Sequence, residues 1–530
     1  MPRHELVHSA REESADTEWK DPPAAFSRDD SSQAGKGQGE ISRGLCHLRI
    51  AGIAVSFRCP TVPCLGLIAL LLVSLVLRLA LTLRGGQGFW PDEVRYTAVV
   101  NALSNWEAGH RREALQLLIG TADHIGFKVL MLGPAWLQTQ LKAGIWFPSA
   151  IISLFSVANI FWIWRIARGM GGDKREAFWA AAAMACSNTM FYWARHLMPY
   201  DVSLFWVLAC ASVALRRAPR AWESLLAGCL GFLAVVTYNG YWASVACVLT
   251  AHVLLAWPDA RAAAKRAGLG LLALSGSFLL LLLLAKYLGF SLLHSYATFA
   301  GAVNQGDFKE GYLVFFDYLW TAERFTALIW LGSLLTFCWL VRSCPTDGRR
   351  RGLTWAAIIV ALAAILIVGS NVLGKFVVYG RLARQVAPFF ALLVGWTAAR
   401  LFGPGGARRR MQTAALIVVL SAGAWSMATP LRMVFPAAFH KRASGIISAY
   451  QEQHAATNPA AVASSKFRIL YNGFFWPYPA ERPLPQHYLV LLASPHPFSW
   501  RFYRYEGFNR VQRNKIEATD ITVRLVLLQD

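Results

Sequence analysis

Charged side chains are scarce in this chain, at 15% of its 530 residues. A soluble globular protein carries about 25%, so the deficit excludes an ordinary soluble domain. Hydrophobic residues instead make up 55% of the sequence, and apolar runs recur along most of its length. This combination predicts a polytopic membrane protein.

Other absences narrow the class further. The nine cysteines show no paired metal-ligand spacing and none lies beyond Cys344, so we expect no disulfide within the C-terminal segment. A cleavable signal peptide is not evident, because the first apolar run starts near residue 61; we expect that run to remain as an anchor. No internal repeat is evident, although transporters and lipid flippases commonly contain inverted repeats.

The net charge of +22 suggests nucleic acid at first sight. The basic residues, however, lie in short segments between apolar runs, which is the positive-inside pattern of membrane proteins, and nucleic-acid binding is not expected. The clusters assigned to the cytoplasm are Arg165, Arg168, Lys174 and Arg175; Arg216, Arg217 and Arg220; Arg261, Lys265 and Arg266; Arg342 with Arg349 to Arg351; and Arg408 to Arg410.

Apolar runs and charge together predict a mainly α, polytopic transmembrane helical bundle over residues 61–430, with about 11 to 13 spans. Residues 1–60 are polar and predict a disordered cytoplasmic tail. Residues 431–530 predict a small extracytoplasmic α/β domain. The eleven spans that satisfy the charge rule are 62–83, 147–166, 178–194, 202–217, 225–238, 240–257, 268–289, 325–342, 353–371, 386–402 and 412–430.

Two features refine this scheme. Counting Val129 to Leu141 as a span would invert every later loop, so this stretch is interpreted as a shorter helix near the outer face. In the C-terminal segment a helical pattern is predicted from Ala443 to Gln453. Strands are predicted at Phe467 to Tyr471, Tyr488 to Leu492 and Ile521 to Leu528.

An acidic motif follows the first apolar run, at Trp90-Pro91-Asp92-Glu93-Val94-Arg95-Tyr96. Charges beside a membrane are costly and usually functional. Adjacent side chains at a helix start diverge by about 100°, so Asp92 and Glu93 do not both face one substrate atom. One of them is expected to be catalytic, while the other caps the following helix or pairs with a cation. Capping alone also explains the pair.

Few cations are expected on the outer face, and those predicted there fall mostly in polar clusters, which contain Arg95, Lys128, Arg195, Arg381 and Arg384. Arginine forks suit a phosphate group, whereas snorkelling to lipid headgroups is the alternative interpretation. Asp123 and His124 lie in the same outer loop. They are candidates for an acceptor site or, with the first motif, for a divalent metal, although an ordinary polar loop explains them as well.

Two further segments lie on the predicted outer side. In Arg195-His196-Leu197-Met198-Pro199-Tyr200-Asp201, the terminal residues are either site residues or partners in a mutual ion pair. The segment Tyr238-Asn239-Gly240-Tyr241-Trp242 interrupts an apolar stretch, and aromatic-belt anchoring is its favoured interpretation.

These motifs together resemble the GT-C superfamily of membrane glycosyltransferases, in its protein O-mannosyltransferase and aminoarabinose-transferase branch. Residues 91–96 resemble the Pro-Asp-Glu-x-Arg-Tyr signature of that family. Residues 123–128 resemble its Asp-x-His-Pro-Pro-Leu-Gly-Lys stretch without the prolines. Residues 195–201 resemble an Arg-x-x-x-Pro-x-Asp element, and Tyr379 to Pro388 resembles a late Arg-Tyr-x-x-Pro region.

The resemblance implies transfer of a hexose or pentose from a polyprenyl-phosphate donor to an acceptor hydroxyl outside the membrane. Asp92 would be the base, with Glu93 beside it, while the donor phosphate would contact Arg95, Tyr96, Lys128, Arg195, Arg381 or Arg384. The acceptor stays open among a glycolipid, a polysaccharide and a protein, and so does any divalent metal. A transporter or lipid flippase is the alternative function, and a scaffold for envelope assembly is a third.

Overall fold

The computed structural model describes residues 45–50, 53–58, 62–84, 87, 93–305, 312–372, 380–402, 406–432, 452, 466–471, 488–493 and 523–528. Asp92, with Trp90 and Pro91, lies outside these ranges, as does nearly all of the predicted helix at 443–453. The side chain of Arg381 also lies outside the described part.

The chain divides into two units, residues 1–60 and residues 61–530. In the first, β1 (Leu45–Ile50) pairs with β2 (Ile53–Arg58) as an antiparallel hairpin, with Leu45 opposite Arg58. This hairpin lies within the segment for which composition predicts a disordered tail.

The second unit is mainly helical. Its α-helices are α1 Val62–Leu83, α2 Val94–Glu107, α3 Arg111–Ile119, α4 Ile125–Leu130, α5 Leu132–Gln140, α6 Trp146–Gly169, α7 Lys174–Ala185, α8 Asn188–Trp193, α9 Tyr200–Ala214, α10 Ala221–Thr237, α11 Trp242–Leu254, α12 Ala260–Tyr287, α13 Leu292–Gln305, α14 Val314–Glu323, α15 Phe325–Leu340, α16 Thr346–Asn371, α17 Gly380–Ala383, α18 Ala387–Leu401 and α19 Gly406–Arg432. Short 3₁₀ helices occupy Asn239–Tyr241, Val341–Ser343 and Arg384–Val386.

Among the described residues, six helices are long and apolar enough to cross a membrane. They are α1, α6, α12, α15, α16 and α19, and each coincides with a predicted span. The chain is therefore a multi-pass membrane protein. The other five predicted spans coincide with α7 and α8, α9, α10, α11 and α18, none of which exceeds 17 residues. Since a perpendicular span needs about 20 residues, eleven crossings remain a prediction.

The predicted span at 178–194 is interrupted between α7 and α8. Ser187 caps α8 by accepting from the amide of Met190. The buried carboxylate of Glu323, at the end of α14, accepts from Ser187 Oγ at 2.7 Å and from the amides of Asn188 and Thr189 at 2.9 and 3.0 Å. Glu323 thus stabilises the polar backbone groups that the break exposes.

The apolar stretch Val129 to Leu141 does not form one long helix. It falls on the end of α4 and on α5, with 6 and 9 residues, separated at Met131. The predicted helical segment is therefore present as two short pieces, the longer of which rises only about 14 Å. That it does not cross the membrane stays a prediction.

Close helix packing at the centre depends on small side chains. Ala180 to Ala183 of α7 are buried, and α7 packs on α18. A Cβ added at Gly395 of α18 would lie 2.5 Å from the carbonyl oxygen of Glu176 and 2.7 Å from Cβ of Ala180. Small residues commonly allow such contacts in membrane helices.

The basic helix ends meet at one end of this bundle. Glu176, in the first turn of α7, accepts hydrogen bonds from Arg351 of α16 at 3.1 Å and from Arg400 of α18 at 3.3 Å. Arg217, after α9, pairs with Asp347 of α16 at 2.6 Å. The positive-inside pattern predicts this grouping. The motif segments meet at the opposite end, where α1 finishes and α6 begins.

Three strands lie near the C-terminus. β3 (Lys466–Tyr471) is parallel to β4 (Tyr488–Ala493), and β4 is antiparallel to β5 (Val523–Leu528). They lie within two residues of the predicted strand bounds. A complete α/β domain at 431–530 stays a prediction, because most of its residues lie outside the described ranges.

Candidate functional site

Glu93 connects the acidic motif to the segment at 195–201. Its side chain is buried and does not cap α2, although it stands at the start of that helix. Oε1 accepts a hydrogen bond from the amide of Leu197 at 2.7 Å and lies 3.4 Å from Nδ1 of His196. Burial lowers the pKa of His196, and Arg195 lowers it further, while Glu93 opposes both. Glu93 therefore ties two predicted site segments together.

Arg95 connects the same motif to the loop before α4. Its Nε donates to both carboxylate oxygens of Asp123, at 2.8 and 3.0 Å. His124 Nε2 lies 3.3 Å from the same carboxylate. Burial alone would raise the pKa of Asp123, but the positive charges of His124 and Arg95 outweigh it and lower the pKa. Asp123 is thus held as an anion beside Arg95, whose side chain keeps 19% of its surface exposed.

His124 has a left-handed backbone, with φ of 53° and ψ of 46°, immediately before α4. Its ring lies 5.0 Å from that of Tyr238. Gly126 follows two residues later, in α4. A Cβ added to Gly126 would lie 2.7 Å from Oγ1 of Thr237. This loop therefore packs directly on the end of α10.

Lys128 is turned into the protein. Nζ donates to the carbonyl oxygen of Leu117 at 2.9 Å and to Oγ1 of Thr121 at 3.2 Å, and the residue is 3% exposed. It therefore caps the last turn of α3 and does not snorkel to headgroups. Burial lowers the pKa of Lys128 to about 8, with Asp123 opposing this effect and Arg95 adding to it.

Tyr96, the other predicted phosphate contact on α2, is also buried. Its hydroxyl donates to Oε1 of Gln138 on α5 at 2.5 Å. This bond joins α2 to the short helix beside it. In the described geometry Tyr96 positions α5, and its hydroxyl is engaged by a protein group.

Arg195 is 2% exposed, which excludes snorkelling to lipid headgroups for this residue. Nη2 donates to the hydroxyl of Tyr192 at 2.8 Å, and the guanidinium lies 4.7 Å from the centre of that ring. Arg195 is therefore held on α8, next to the turn that Glu93 binds.

Asp201 pairs with Arg384, and the predicted alternative of a pair between Arg195 and Asp201 is wrong. Arg384 Nη2 donates to Oδ1 of Asp201 at 2.6 Å and lies 2.9 Å from Sδ of Met190. Both charged residues are at most 2% exposed. The backbone carbonyl of Asp201 also accepts from Asn159 Nδ2 at 3.0 Å. The pair joins the start of α9 to the 3₁₀ turn before α18.

A cluster of buried tyrosines lies between these pairs. Tyr238 contacts the rings of Tyr200 at 5.0 Å and Tyr241 at 5.3 Å, in addition to His124. Tyr238 and Tyr241 are 7% and 0% exposed, so aromatic-belt anchoring is wrong for both. Belt residues face the lipid headgroups, and here only Trp242, at 42%, is that exposed within the 238–242 segment.

Two buried charges near this cluster were not predicted as site residues, Arg78 and Glu323. Arg78 of α1 donates from Nε to Ser156 Oγ at 3.0 Å and lies 5.7 Å from the ring of Phe191. The available signal was an arginine inside an apolar run, which usually faces the bundle interior. Glu323 gave no comparable signal, because its partners, one hydroxyl and two backbone amides, are 134 and more residues away.

The predicted divalent-metal site depends on several His, Cys, Asp or Glu side chains lying close together. Across the described ranges, no three or more His, Cys, Asp or Glu side chains gather in a way that would hold a metal ion. Asp92 lies outside those ranges, so the predicted combination of Asp92 with Asp123 or His124 stays a prediction.

The four predicted motifs therefore form one connected group of side chains, which we call the motif cluster: Glu93, Arg95, Asp123, His124, Arg195, His196, Asp201, Tyr238, Tyr241 and Arg384. No model of a known protein family matches this sequence, and no curated protein does either.

Proposed function

We propose that this chain is an integral-membrane glycosyltransferase that moves a sugar from a polyprenyl-phosphate donor to an acceptor hydroxyl. The observation that carries the proposal is the convergence of the motifs. Contacts at one end of the bundle join segments that are far apart in the sequence, by as many as 183 residues. These segments are 93–96, 123–128, 195–201 and residue 384. The GT-C resemblance rests on these same segments.

The electrostatics support an anionic, lipid-linked substrate. Among the predicted phosphate ligands whose side chains the structure describes, Arg95 keeps an exposed edge, while Arg195 and Arg384 are buried. Buried cations near a polar site stabilise negative charge on a departing phosphate, because the low dielectric constant of the protein interior weakens their attraction less than water does. The polyprenyl chain would lie in the bilayer beside the helices.

Asp92 is the proposed base, and it directly precedes Glu93. Glu93 is itself fixed by the amide of Leu197, two residues after Arg195 and one after His196, and Asp92 adjoins it in the sequence. Asp92 would accept the proton of the acceptor hydroxyl as that oxygen attacks the anomeric carbon. The anomeric bond to phosphate breaks, and the polyprenyl phosphate leaves with the added negative charge.

The finer topology belongs to the same proposal. Eleven crossings of the inner membrane would place the N-terminus in the cytoplasm and the motif cluster outside. Residues 431–530 would then form an extracytoplasmic α/β domain, where they could select a glycolipid, polysaccharide or protein acceptor.

The test is Asp92→Asn in reconstituted membranes, supplied with a panel of radiolabelled polyprenyl-phosphate hexoses and pentoses. Release of polyprenyl phosphate is the readout, because it does not require the acceptor to be known beforehand when membrane extract is added. The variant should lose about a hundredfold to ten-thousandfold in rate. Glu107→Gln, an exposed acid on the same helix α2, is the matched control and should keep full activity. Transfer by Asp92→Asn at the wild-type rate would overturn the assignment.

A further inference from the structure

A second polar site lies at the end of the bundle opposite the motif cluster. A cavity of about 300 Å³ is lined by Trp164, Arg165, Arg168, Gly169, Ser212 and Arg216. Arg216 also lines an adjoining smaller cavity, of about 40 Å³, together with Arg217, Arg350 and Arg351. We call the two together the arginine pocket.

The arginine pocket carries more positive charge than its acids neutralise. Arg216 pairs with Glu223, Arg217 with Asp347, and Arg351 with Glu176, which Arg400 also contacts. Three further arginines, Arg165, Arg168 and Arg350, have no acidic partner among the described residues. Arg168 and Arg350 donate instead to the carbonyl oxygens of Gly172 and Leu255.

Arginines in excess of acids suit a phosphate group, which the guanidinium fork binds with two parallel hydrogen bonds. Arg165 and Arg168 are spaced three residues apart, so they project from the same side of α6. A cavity near 300 Å³ is at the small end of ligand-binding sites. That size suits a headgroup better than a large soluble cofactor.

The surroundings favour a lipid as the carrier of this phosphate. α6 is a candidate membrane span, and the arginine pocket lies at its C-terminal end. Trp164, at the rim, stacks on Phe161 with ring centres 6.1 Å apart, and Phe161 is 38% exposed. Leu154, further along α6, is 48% exposed. An apolar strip therefore runs from the pocket along the helix, where an acyl chain would lie.

We propose that the arginine pocket binds the phosphate headgroup of an anionic phospholipid. The positive-inside arrangement alone requires basic residues at this membrane face. It does not require a cavity among them, three arginines without acids, or an adjoining apolar strip. The inference does not depend on the glycosyltransferase proposal, because it uses none of the motif residues.

The experiment compares the full-length protein in phosphatidylcholine nanodiscs with nanodiscs that also contain phosphatidylglycerol. Phosphatidylglycerol should raise the midpoint of thermal unfolding, and its retention is counted by native mass spectrometry. Arg165→Gln with Arg168→Gln should weaken retention about thirtyfold, because two cations near the membrane surface are removed. In phosphatidylcholine alone this variant should unfold as the wild type does.

The matched control removes two charges from another basic cluster, through Arg261→Gln with Lys265→Gln on the exposed start of α12. It should retain phosphatidylglycerol as the wild type does. Equal losses in both double variants would indicate general surface attraction and would overturn the pocket. A second arm adds inorganic pyrophosphate to protein in neutral detergent. Stabilisation there equal to that by the lipid would assign the site to a soluble phosphate compound and would likewise overturn the lipid proposal.

Discussion

Arg384 donates a hydrogen bond to Asp201 over 2.6 Å, although the two residues are 183 positions apart in the chain. Both side chains are withdrawn from solvent. Nε and Nη1 of Arg384 have no hydrogen-bond partner in the described part of the structure. The carboxylate of Asp201 is therefore the principal group that compensates this buried cation, and the pair fixes the start of α9 against the turn before α18.

Breaking this pair on one side should be strongly destabilising. Asp201→Asn or Arg384→Met leaves an uncompensated buried charge, which typically costs about 3–5 kcal/mol. The double variant should cost less than the sum of the two, because no lone charge remains. Chemical unfolding of the purified protein in detergent completes the double-mutant cycle.

The control for this cycle is the exposed pair Arg217–Asp347, whose side chains are 72% and 59% exposed. Replacing either member should change the free energy of unfolding by about 0–1 kcal/mol. Additive effects of Asp201→Asn and Arg384→Met would contradict the coupling that we infer from the geometry.

Glu93 should act through the position of the 195–197 turn. Glu93→Ala removes the acceptor of the Leu197 amide and should lower both the thermal unfolding temperature and donor turnover. Glu93→Gln keeps a carbonyl oxygen for that amide, so it should recover most of the unfolding temperature and of kcat. Thermal unfolding and donor kinetics are measured together.

The comparison of the two Glu93 variants separates positioning from catalysis. A catalytic carboxylate is not replaced by an amide. If Glu93→Gln folds normally but loses as much kcat as Asp92→Asn, Glu93 is the proton acceptor and the positioning role is wrong. His196 gives a further readout. Glu93→Gln removes a negative charge 3.4 Å from Nδ1 of His196, so the pH profile of donor turnover should shift.

The long helices were predictable because each is apolar over the roughly 20 residues that a membrane span requires. Length and hydropathy alone locate α1, α6, α12, α15, α16 and α19. The break between α7 and α8 was not predictable, since it depends on Glu323 binding backbone amides from a distant helix. The sequence around residues 186–188 does not indicate a contact with a residue so far along the chain.

The motif cluster was predictable as a set of segments but not as a set of pairs. The acids and arginines of the motif segments were identified by charge and order, whereas their partners depend on three-dimensional packing. Asp201 thus pairs with Arg384 and not with the nearby Arg195. The inward direction of Lys128 and the burial of Tyr238 and Tyr241 follow equally from tertiary packing.

Gly126 should be intolerant of even one added methyl group. A Cβ there would lie 2.7 Å from Oγ1 and 3.0 Å from the backbone nitrogen of Thr237, and the backbone of α10 cannot move aside easily. Gly126→Ala should cost about 1–3 kcal/mol of stability through overpacking, and it should displace Asp123 from Arg95, lowering donor turnover. Thermal unfolding and donor kinetics provide the measurements.

Gly133, in the neighbouring helix α5, is the matched control because a Cβ there meets no atom within 4 Å. Gly133→Ala should be neutral or should stabilise by up to about 1 kcal/mol, since alanine favours a helix over glycine. Equal effects of the two substitutions would show that the close approach of α4 to α10 is wrong.

Lys128 should make stability depend on alkaline pH. Its pKa is lowered by burial to about 8 in the folded protein, against 10.5 for an ordinary lysine. Between those two values the unfolded chain binds a proton that the folded protein has released. The free energy of unfolding therefore increases as pH rises from about 8 to about 10.5. Below pH 8 both states are protonated, and the buried charge retains its full cost.

Lys128→Met removes this titration, so the stability difference between the wild type and the variant should change with pH only in that window. The wild type should gain on the order of 3 kcal/mol relative to the variant across it. Unfolding by denaturant at about pH 7, 8, 9 and 10 measures the difference in free energy of unfolding. Lys286→Met, at an exposed lysine of α12, controls for the loss of any lysine. A difference between wild type and Lys128→Met that stays constant with pH would mean that Lys128 is not buried as a cation, and the capping of α3 by its ammonium group would fail with it.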